Sequence, residues 1–518
     1  MNKKYCDFMD EIDANELYEG LLAYGFFSDK IPPIFTSVPF YEYCKSATTR
    51  FAPGWNEYIV FRTMRNNGIP RLMGLPTPMK YERLCATLRD SWEDIKNHFH
   101  HQTDYQDYRI SRIHIRKEHE KKQLFKMNYK DWRIDGNPEI DLLIHDKGTS
   151  RLVVKADIST CFPSIYTHSI PWALVGKEEV KNTIRKDTWY KNIDTACSDL
   201  RNGETHGLLV GPHASNLLSE IILTAIDKNL YNKGYRFFRN IDDYDCYVSS
   251  YEEAYKFLSD LEKALSQYDL LLNHKKTSIK ELPLGLEKNW KHQISILPTL
   301  GPSGNVEYPQ VNSYIDTSLT LAKETGDLAI INYAIKKLKG MVISENGKKL
   351  AAKRFMHMAA LYPYLLNLME DYVFEPYSVD VNQIKNLSDN VYSSAAMIND
   401  YESMYYALYF AIKYNFALDA IEEDYKKEQQ YVIDSRDCIL LVFTWIYFMK
   451  KNHWNRSASQ VKPLNRVAME LKNKDKEMDR YWLFCYEALT SGSLAGEWRS
   501  MKQAGVSFIK NDIVCATI

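Results

Sequence analysis

The sequence predicts an α+β domain over residues 1–300, followed by an all-α domain over residues 301–518. A chain of 518 residues exceeds the size at which a single core stops growing, about 250–300 residues. In the first half, helical patterns lie beside short β-branched runs, whereas in the second half apolar residues recur every three or four positions. The turn-rich segment 301–304 (Gly-Pro-Ser-Gly) separates the two patterns and marks the predicted boundary.

The elements of the first half follow in order along the chain. Residues 81–99 have a helical pattern, and the apolar run at 152–158 predicts a buried strand. The segment 205–221 reads as a turn that leads into an apolar helix. Aromatic and β-branched residues at 237–248 flank two acidic residues and predict a hairpin. An amphipathic helix ends near 270–277.

The second half reads as one helix after another. Apolar residues at 328–338 and again at 355–365 have helical spacing, and the run at 438–449 predicts a buried helix. The helices are of similar length, which favours a helical-repeat (HEAT-like) solenoid or an irregular bundle.

The composition indicates a globular protein, with 45% hydrophobic and 26% charged residues. The 21 glycines and 18 prolines follow no fixed period, which argues against collagen-like and low-complexity classes. The run at 438–449 is shorter than the roughly 18 residues of a membrane span, and no apolar core of a signal peptide follows the first lysines. We therefore expect a cytoplasmic protein without membrane contact. Nine scattered cysteines, never spaced C-x-x-C, predict reduced thiols.

Three carboxylates are the strongest candidates for chemistry: Asp157 at the strand end, and Asp242 and Asp243 at the hairpin tip. Taken separately, such residues are usually turn formers, helix caps or solvated acids. Together they form a donor set for two-metal phosphoryl transfer, because Mg²⁺ prefers oxygen ligands and two ions can activate a hydroxyl and stabilise a leaving pyrophosphate. The sequence therefore predicts ligands for two Mg²⁺ or Mn²⁺ ions.

Two further sequence segments, around Gly207–Ser215 and at Lys276, each have a purely structural and a functional interpretation. Gly207, Gly211 and Ser215 recur at four-residue spacing before the apolar helix, which by itself indicates a turn at a helix start. Lys276 follows the amphipathic helix, where it either contacts a triphosphate or is a surface lysine.

The segment 109–133 is crowded with cations although the whole chain has a net charge of −1. In one interpretation it supplies cations that contact a triphosphate, with Arg112 and Lys126 as candidates. Alternatively, with Glu118 and Glu120 interleaved, it is a solvated face without a catalytic role.

In order and spacing, these strings resemble motifs A, B, C and D of the reverse transcriptase palm, over residues 60–290. The resemblance implies a palm and fingers that polymerise dNTPs, with Phe162 as the bulky residue that excludes a ribose 2′-hydroxyl. Two positions depart from the family pattern: Asn240, where the family usually has Tyr or Phe, and His206, where many members have Gln. The implied positions are Asp157 for motif A, Gly207, Gly211 and Ser215 for motif B, Asp242 and Asp243 for motif C, and Lys276 for motif D.

A narrower resemblance is carried by the strings at 165–172, 176–177, 204–207 and 480–484. They look like the bacterial abortive-infection reverse transcriptases, the K-type and its prophage-borne relatives. This resemblance implies a bacterial cytoplasmic enzyme with a C-terminal helical-repeat domain that assembles as a homo-oligomer and defends against phage. It also implies DNA synthesis without a template, primed by a tyrosine hydroxyl, so that single-stranded DNA stays covalently attached.

The primer cannot be chosen by composition, because the chain has 37 tyrosines. Tyr41 and Tyr43 are the candidates, since they lie before the predicted fingers in a stretch that begins at Val38-Pro39 and is expected to be irregular. Two alternatives remain open at this point. One is a template-directed, RNA-dependent DNA polymerase, and the other is a non-enzymatic defence scaffold.

Overall fold

The computed structural model describes residues 4–46, 51–115, 125–126, 142–145, 148–183, 187–285, 289–296, 304–474 and 476–512. Within these residues every strand precedes residue 282, and the regular structure from residue 289 onward is helical. The strands are β1 Tyr58–Met64, β2 Pro70–Pro76, β3 His114–Ile115, β4 Phe125–Lys126, β5 Ile144–His145, β6 Gly148–Thr149, β7 Leu152–Asp157, β8 Arg236–Asn240, β9 Asp243–Val248 and β10 Ser278–Glu281.

The helices alternate with these strands and then continue alone. Those of the first half are α1 Tyr5–Asp10, α2 Ala14–Glu19, α3 Val38–Ser46, α4 Pro78–Asp90, α5 Trp92–Thr103, α6 Cys161–Ser164, α7 Ser169–Val175, α8 Lys177–Asn182, α9 Trp189–Asp199, α10 Ala214–Asn232, α11 Tyr251–Ser266 and α12 Asn289–Ile296. Those of the second half are α13 Tyr308–Thr325, α14 Ala329–Leu338, α15 Glu345–Leu361, α16 Leu366–Met369, α17 Val381–Ile398, α18 Tyr401–Tyr414, α19 Asp419–Glu423, α20 Tyr425–Ser435, α21 Cys438–Lys451, α22 Lys462–Asn473, α23 Glu477–Arg480, α24 Trp482–Ala488 and α25 Gly496–Gln503.

A four-stranded antiparallel sheet lies at the centre of the first half, in the order β10-β7-β9-β8. Its middle strand β7 has apolar residues at 152–154 that are buried, as a strand covered on both faces requires. The helix α11 contacts β7 and β9, and α10 contacts α11. The predicted strand and hairpin are thus confirmed, and the hairpin joins β8 to β9 through Ile241 and Asp242.

The hairpin β1–β2 extends from this body and pairs Tyr58 with Pro76 through Met64 with Pro70. The helical pattern at 81–99 corresponds to two helices rather than one, because α4 ends at Asp90 and α5 begins at Trp92. Ser91 between them has φ −101° and ψ 10°, outside the helical range, so the chain changes direction there.

A buried ion cluster lies behind the sheet. Arg239 of β8 is fully buried, and its guanidinium donates to Glu220 and Asp227 of α10 at 2.7–3.1 Å. Tyr5 of α1 and Ser111 each donate a hydroxyl hydrogen bond to Glu220, at 3.0 and 2.9 Å. One arginine therefore ties a strand to the long helix, and the shared Glu220 ties the first helix to the same point.

The helical half packs directly against the amino-terminal segment. Phe35 forms an isolated antiparallel bridge with Ile509, and the rings of Phe26 and Phe508 lie 6.1 Å apart. The expected buried helix at 438–449 is confirmed, because every residue of α21 up to Lys450 is buried. Buried apolar side chains of both halves belong to one contiguous cluster. The boundary near residue 300 falls next to residues 297–303, which are outside the described ones.

Among the described helices, none combines the length and the apolar composition that crossing a bilayer requires.

Candidate functional site

The three predicted aspartates meet at one end of the central sheet. Asp157 is the last residue of β7, and its Cα partner across the ladder is Asp243, the first residue of β9. Asp242 lies in the turn just before, and its carbonyl accepts a hydrogen bond of 3.0 Å from the Ile158 N–H. Residues more than 80 positions apart along the chain are therefore placed side by side by antiparallel pairing.

Asp157 is almost fully buried and is held by two polar side chains. Asn273 Nδ2 donates to its Oδ1 at 2.8 Å, and Lys276 Nζ donates to its Oδ2 at 2.7 Å. The hydrogen bond from Lys276 to Asp157 raises the pKa of the lysine, so the ammonium stays charged. The structure thus brings Lys276 to the aspartates, and it adds Asn273, which the sequence analysis did not single out.

The aspartates lie close enough to repel one another, and this repulsion adds to the effect of burial on the pKa of two of them. Burial, followed by the charges of Asp242 and Asp157, raises the pKa of Asp243 to about 7. Burial raises the pKa of Asp242 as well, and Asp157 adds to the increase. A divalent cation would remove this cost, because it supplies the positive charge that crowded carboxylates lack. The donor set therefore fits Mg²⁺ or Mn²⁺, with oxygen ligands from three side chains.

The turn that carries Asp242 has an unusual backbone. Ile241 has φ +57°, a value that β-branched residues rarely adopt. Arg239 Nη1 donates to the Ile241 carbonyl at 2.9 Å, so the buried ion cluster also holds this turn. The sequence analysis missed Arg239. Its signal was present in α10, where Glu220 and Asp227 interrupt an otherwise apolar face seven residues apart.

The glycine-rich turn lies between the aspartates and the hairpin β1–β2. Gly207 has φ +94°, and a Cβ there would lie 2.4 Å from the Arg201 guanidinium. Gly211 has φ +140°, and a Cβ there would lie 3.0 Å from the Gly74 carbonyl oxygen of β2. Ser215 is buried and donates to the Leu209 carbonyl at 2.7 Å. At Gly207 a Cβ would also lie 2.8 Å from the Pro163 carbonyl oxygen, so the backbone comes close at both glycines, and together with Ser215 they shape the turn.

The structure places the other nucleotide candidates in different surroundings. Phe162 is half-buried in α6, and its carbonyl accepts from the Leu208 N–H of the glycine-rich turn at 2.8 Å. Arg112 is buried, with its guanidinium 3.9 Å from the Phe238 ring centroid. Lys126 lies in β4, but its side chain is outside the described part of the chain. The cation that acts on Asp242 besides Lys276 is Arg71 of β2, which the sequence analysis did not name.

The stretch expected to be irregular is a helix, α3, and this expectation was wrong. Within α3, Tyr41 is buried with its ring 5.9 Å from that of Tyr18, and Tyr43 is half-buried. The ring of Phe40 lies 5.8 Å from that of Phe508, and this long-range packing holds the helix in place. Burial raises the pKa of both phenols, which opposes their deprotonation.

A cavity of about 500 Å³ opens on the face of the sheet that carries the aspartates. Residues two apart in a strand share a face, so Lys155 and Asp157 point to one side, as do Asp243 and Asp245. Lys155 Nζ pairs with Asp245 at 2.9 Å. Of the residues that line the cavity, those on the sheet are Val153, Lys155, Phe238, Asn240, Asp245 and Tyr247.

Within the described residues, one trio of His, Cys or acidic side chains has ligand atoms all within 4.8 Å of one another: Cys6, His100 and Asp104. The three aspartates do not form such a trio. In the trio, Lys4 already donates to Asp104 at 3.1 Å, and His100 pairs with Asp10 at 3.0 Å.

No protein-family model matches this chain, and no curated protein is similar to it. Among solved structures, apo telomerase from Candida tropicalis is similar to this chain with 12% sequence identity and a TM-score of 0.34. The alignment covers 82% of this chain and 72% of the telomerase chain. Telomerase from the same organism, in complex with a TWJ fragment of telomeric RNA, overlaps 83% and 66%, with 10% identity and a TM-score of 0.29. The corresponding complex from Candida albicans overlaps 84% and 65%, with 10% identity and a TM-score of 0.28. At such TM-scores the overlaps carry no argument, and the site rests on its own geometry.

Proposed function

We infer that this chain is a nucleotidyltransferase of the reverse transcriptase type, which adds deoxynucleotides to a hydroxyl group. One observation carries the proposal: Asp157, Asp242 and Asp243 converge at the end of the sheet, and Lys276 is bonded to Asp157. Surface acids in turns have no physical reason to converge, since burial and then mutual repulsion raise the pKa of two of them.

The residues of the chain have separate tasks in this reaction. Lys276 and Arg71 are cations that act on Asp242, and they would hold the triphosphate of an incoming dNTP. Phe162 would lie against the sugar, as the resemblance implies. The attacking hydroxyl oxygen forms a bond to the α-phosphorus, the bond to the pyrophosphate oxygen breaks, and the hydroxyl proton is released to solvent.

The aspartates would hold two Mg²⁺ or Mn²⁺ ions. When bound, the ions would lower the cost of deprotonating the hydroxyl and neutralise charge on the leaving pyrophosphate. Positioning and charge neutralisation would therefore provide most of the rate enhancement.

The finer part of the proposal follows the narrower resemblance. In this proposal the protein makes DNA without a template, starting from a tyrosine hydroxyl, so that the DNA stays attached to the chain. The protein is a homo-oligomer that acts in phage defence. Tyr43 is the better candidate of the two tyrosines, because its side chain is half-buried whereas that of Tyr41 is buried against Tyr18.

The test of the reaction uses purified protein, labelled dNTPs and Mg²⁺, without template or primer. We expect labelled DNA that migrates with the protein after denaturation. The variants Asp242→Asn and Asp243→Asn should lose this signal, since the amide cannot supply the negative charge. Asp316→Asn is the matched control, because Asp316 lies in α13 of the helical half, away from the sheet, and pairs with Arg354 at 2.7 Å.

Incorporation that survives Asp243→Asn would contradict the proposal, and so would a wild-type protein that incorporates nothing with either metal, as a scaffold would. An added RNA that dictates the product sequence would instead establish template-directed copying and refute the template-independent part.

The priming tyrosine is tested separately by mass spectrometry of the labelled protein. We expect a nucleotidyl adduct on the peptide that contains residues 38–46, and Tyr43→Phe should remove it. An adduct on a peptide elsewhere would refute the assignment to Tyr41 and Tyr43 but leave the catalytic site untouched.

A further inference from the structure

A cluster of aromatic rings lies beside the glycine-rich turn and has no part in the reaction described above. The rings of Tyr166 and His206 stack with centroids 4.9 Å apart and planes 26° from parallel. His168 and Trp172 meet the same tyrosine at 4.6 and 5.6 Å, edge to face. The sequence motif at 165–172, used above only as a family marker, thus builds a compact surface of rings.

Main-chain hydrogen bonds hold this cluster in place. The Thr167 N–H donates to Thr205 at 2.7 Å, and the Gly207 N–H donates to Ile165 at 2.7 Å. Residues 166 and 206 form an isolated antiparallel bridge. The rings are therefore fixed before any ligand arrives, which lowers the entropic cost of binding.

A second aromatic residue extends the surface. The Trp55 side chain is 71% exposed and lies so close to Gly203 that a Cβ there would be 2.8 Å from the indole. Its segment is fastened to the same loop, because the Asn56 N–H donates to Asp199 at 3.1 Å and the Asn202 N–H donates to Asn56 at 2.8 Å. Trp55 therefore packs against the segment 199–207, and the exposed His206 belongs to that segment.

Cations lie among these rings. Lys177 Nζ is 4.0 Å from the Trp172 ring centroid. His168 Nδ1 lies 2.5 Å from Asp194, and this hydrogen bond raises the pKa of the histidine, so more of it is charged near neutral pH. Acids lie in the same segments: Asp194, which pairs with His168, and the exposed Glu178, Glu179 and Glu204.

We propose that the surface formed by Trp55, Tyr166, His168, Trp172, Lys177 and His206 binds single-stranded nucleic acid, with bases stacked on Trp55 and His206. Exposed rings interleaved with cations are how proteins bind single strands without reading their sequence. The surface is one short helix away from the aspartates, since the Leu208 N–H beside it bonds to the Phe162 carbonyl of α6. The identity of the strand, as product of the polymerase, rests on the proposed function, whereas the binding itself does not.

The experiment measures the fluorescence anisotropy of a labelled oligo(dT) of about 12 nucleotides with the full-length protein, without dNTPs. Trp55→Ala and His206→Ala should each raise Kd about 5- to 100-fold. Trp55→Phe should restore most of the binding because it keeps a ring. Tyr255→Ala is the control, since Tyr255 is 64% exposed on α11 and should leave Kd unchanged.

Salt separates stacking from phosphate contacts. Lys177→Gln should reduce the slope of log Kd against log salt, whereas Trp55→Ala should leave that slope unchanged. Wild-type affinity in both Trp55→Ala and His206→Ala would overturn the proposal. So would a change of oligomer size in these variants at unchanged Kd, because the surface would then be a protein interface.

The two proposals fail independently in this design. Oligo(dT) binding that depends on Trp55, in a protein that incorporates no dNTP, would refute the polymerase and leave the stacking surface intact. If incorporation requires Asp243 but the aromatic variants bind oligo(dT) like the wild type, the stacking surface is refuted and the polymerase proposal stands.

Discussion

At the scale of single residues, the buried Arg239 supports the turn that carries Asp242. It neutralises Glu220 and Asp227 and also donates to the Ile241 carbonyl. Burial raises the pKa of Asp227 to about 6 even with the arginine present. In this buried environment a carboxylate without a cationic partner would therefore strongly destabilise the folded protein.

Arg239→Met should destabilise the protein by about 3–5 kcal/mol, because two buried carboxylates lose their only strong partner among the described contacts. Thermal unfolding of the variant measures this loss. Replacing all three groups together, as Arg239→Met with Glu220→Met and Asp227→Leu, should recover most of the stability. A single variant as stable as the wild type would show that the cluster is not the support we describe.

Phe162 allows a second prediction at this scale, which tests the sugar selectivity. Phe162→Ala should increase the use of rNTPs relative to dNTPs by tenfold or more, that is by about 1.4 kcal/mol, because the space beside the 2′ position opens. Competition between labelled CTP and dCTP measures the ratio. An unchanged ratio would mean that another residue excludes the ribose hydroxyl.

At the scale of elements, the glycine-rich turn connects the hairpin β1–β2 to the helix α6 that follows the central sheet. The Gly74 N–H of β2 donates to the Val210 carbonyl at 2.9 Å, and Gly211 lies against the Gly74 carbonyl. Arg71 belongs to the same strand. The turn therefore sets the distance between the hairpin cation and the aspartates.

Gly211→Ala should reduce nucleotide incorporation at least tenfold, because φ +140° is a glycine conformation and the new Cβ would push the turn away from β2. Gly326→Ala is the matched control: it also replaces a glycine of positive φ, but nothing lies within 4 Å of its Cβ. If both variants lose activity equally, the contact with β2 is not the cause.

At the scale of the whole molecule, a buried carboxyl ties the helical half to the hairpin. Glu402 of α18 accepts a hydrogen bond from the Met64 N–H at the end of β1. Burial raises the pKa of Glu402 from 4.5 to about 8. Between these values the folded chain holds a proton that the unfolded chain releases, so stability falls as the pH rises through this window.

We therefore expect the midpoint of thermal unfolding to decrease between pH 5.5 and pH 8 more in the wild type than in Glu402→Gln. Over this range the free energy of unfolding of the wild type should fall by on the order of 1–3 kcal/mol more than that of the variant. The reason is that glutamine keeps an acceptor for Met64 and has no charge to desolvate. Parallel curves for the two proteins would show that Glu402 does not titrate in this window.

Much of the local structure could be predicted because it depends on near neighbours. Periodicity predicted the strand that ends at Asp157, the hairpin around Asp242 and Asp243, and the helix at 438–449. The prediction failed at α3, where the first residues suggested an irregular stretch. There, packing of Phe40 against Phe508 outweighs the local signal, and no pattern within a few residues could have shown it.

By itself, the sequence determined which carboxylates, glycines and lysine are available for chemistry and which elements carry them, since these follow from residue type and spacing. Only the tertiary structure decided that Lys276 and Asn273 hold Asp157, that Arg71 acts on Asp242, and that Arg239 supports the turn. Most of these pairs are separated by more than a hundred positions, and which residues meet over such distances is set by the packing of elements.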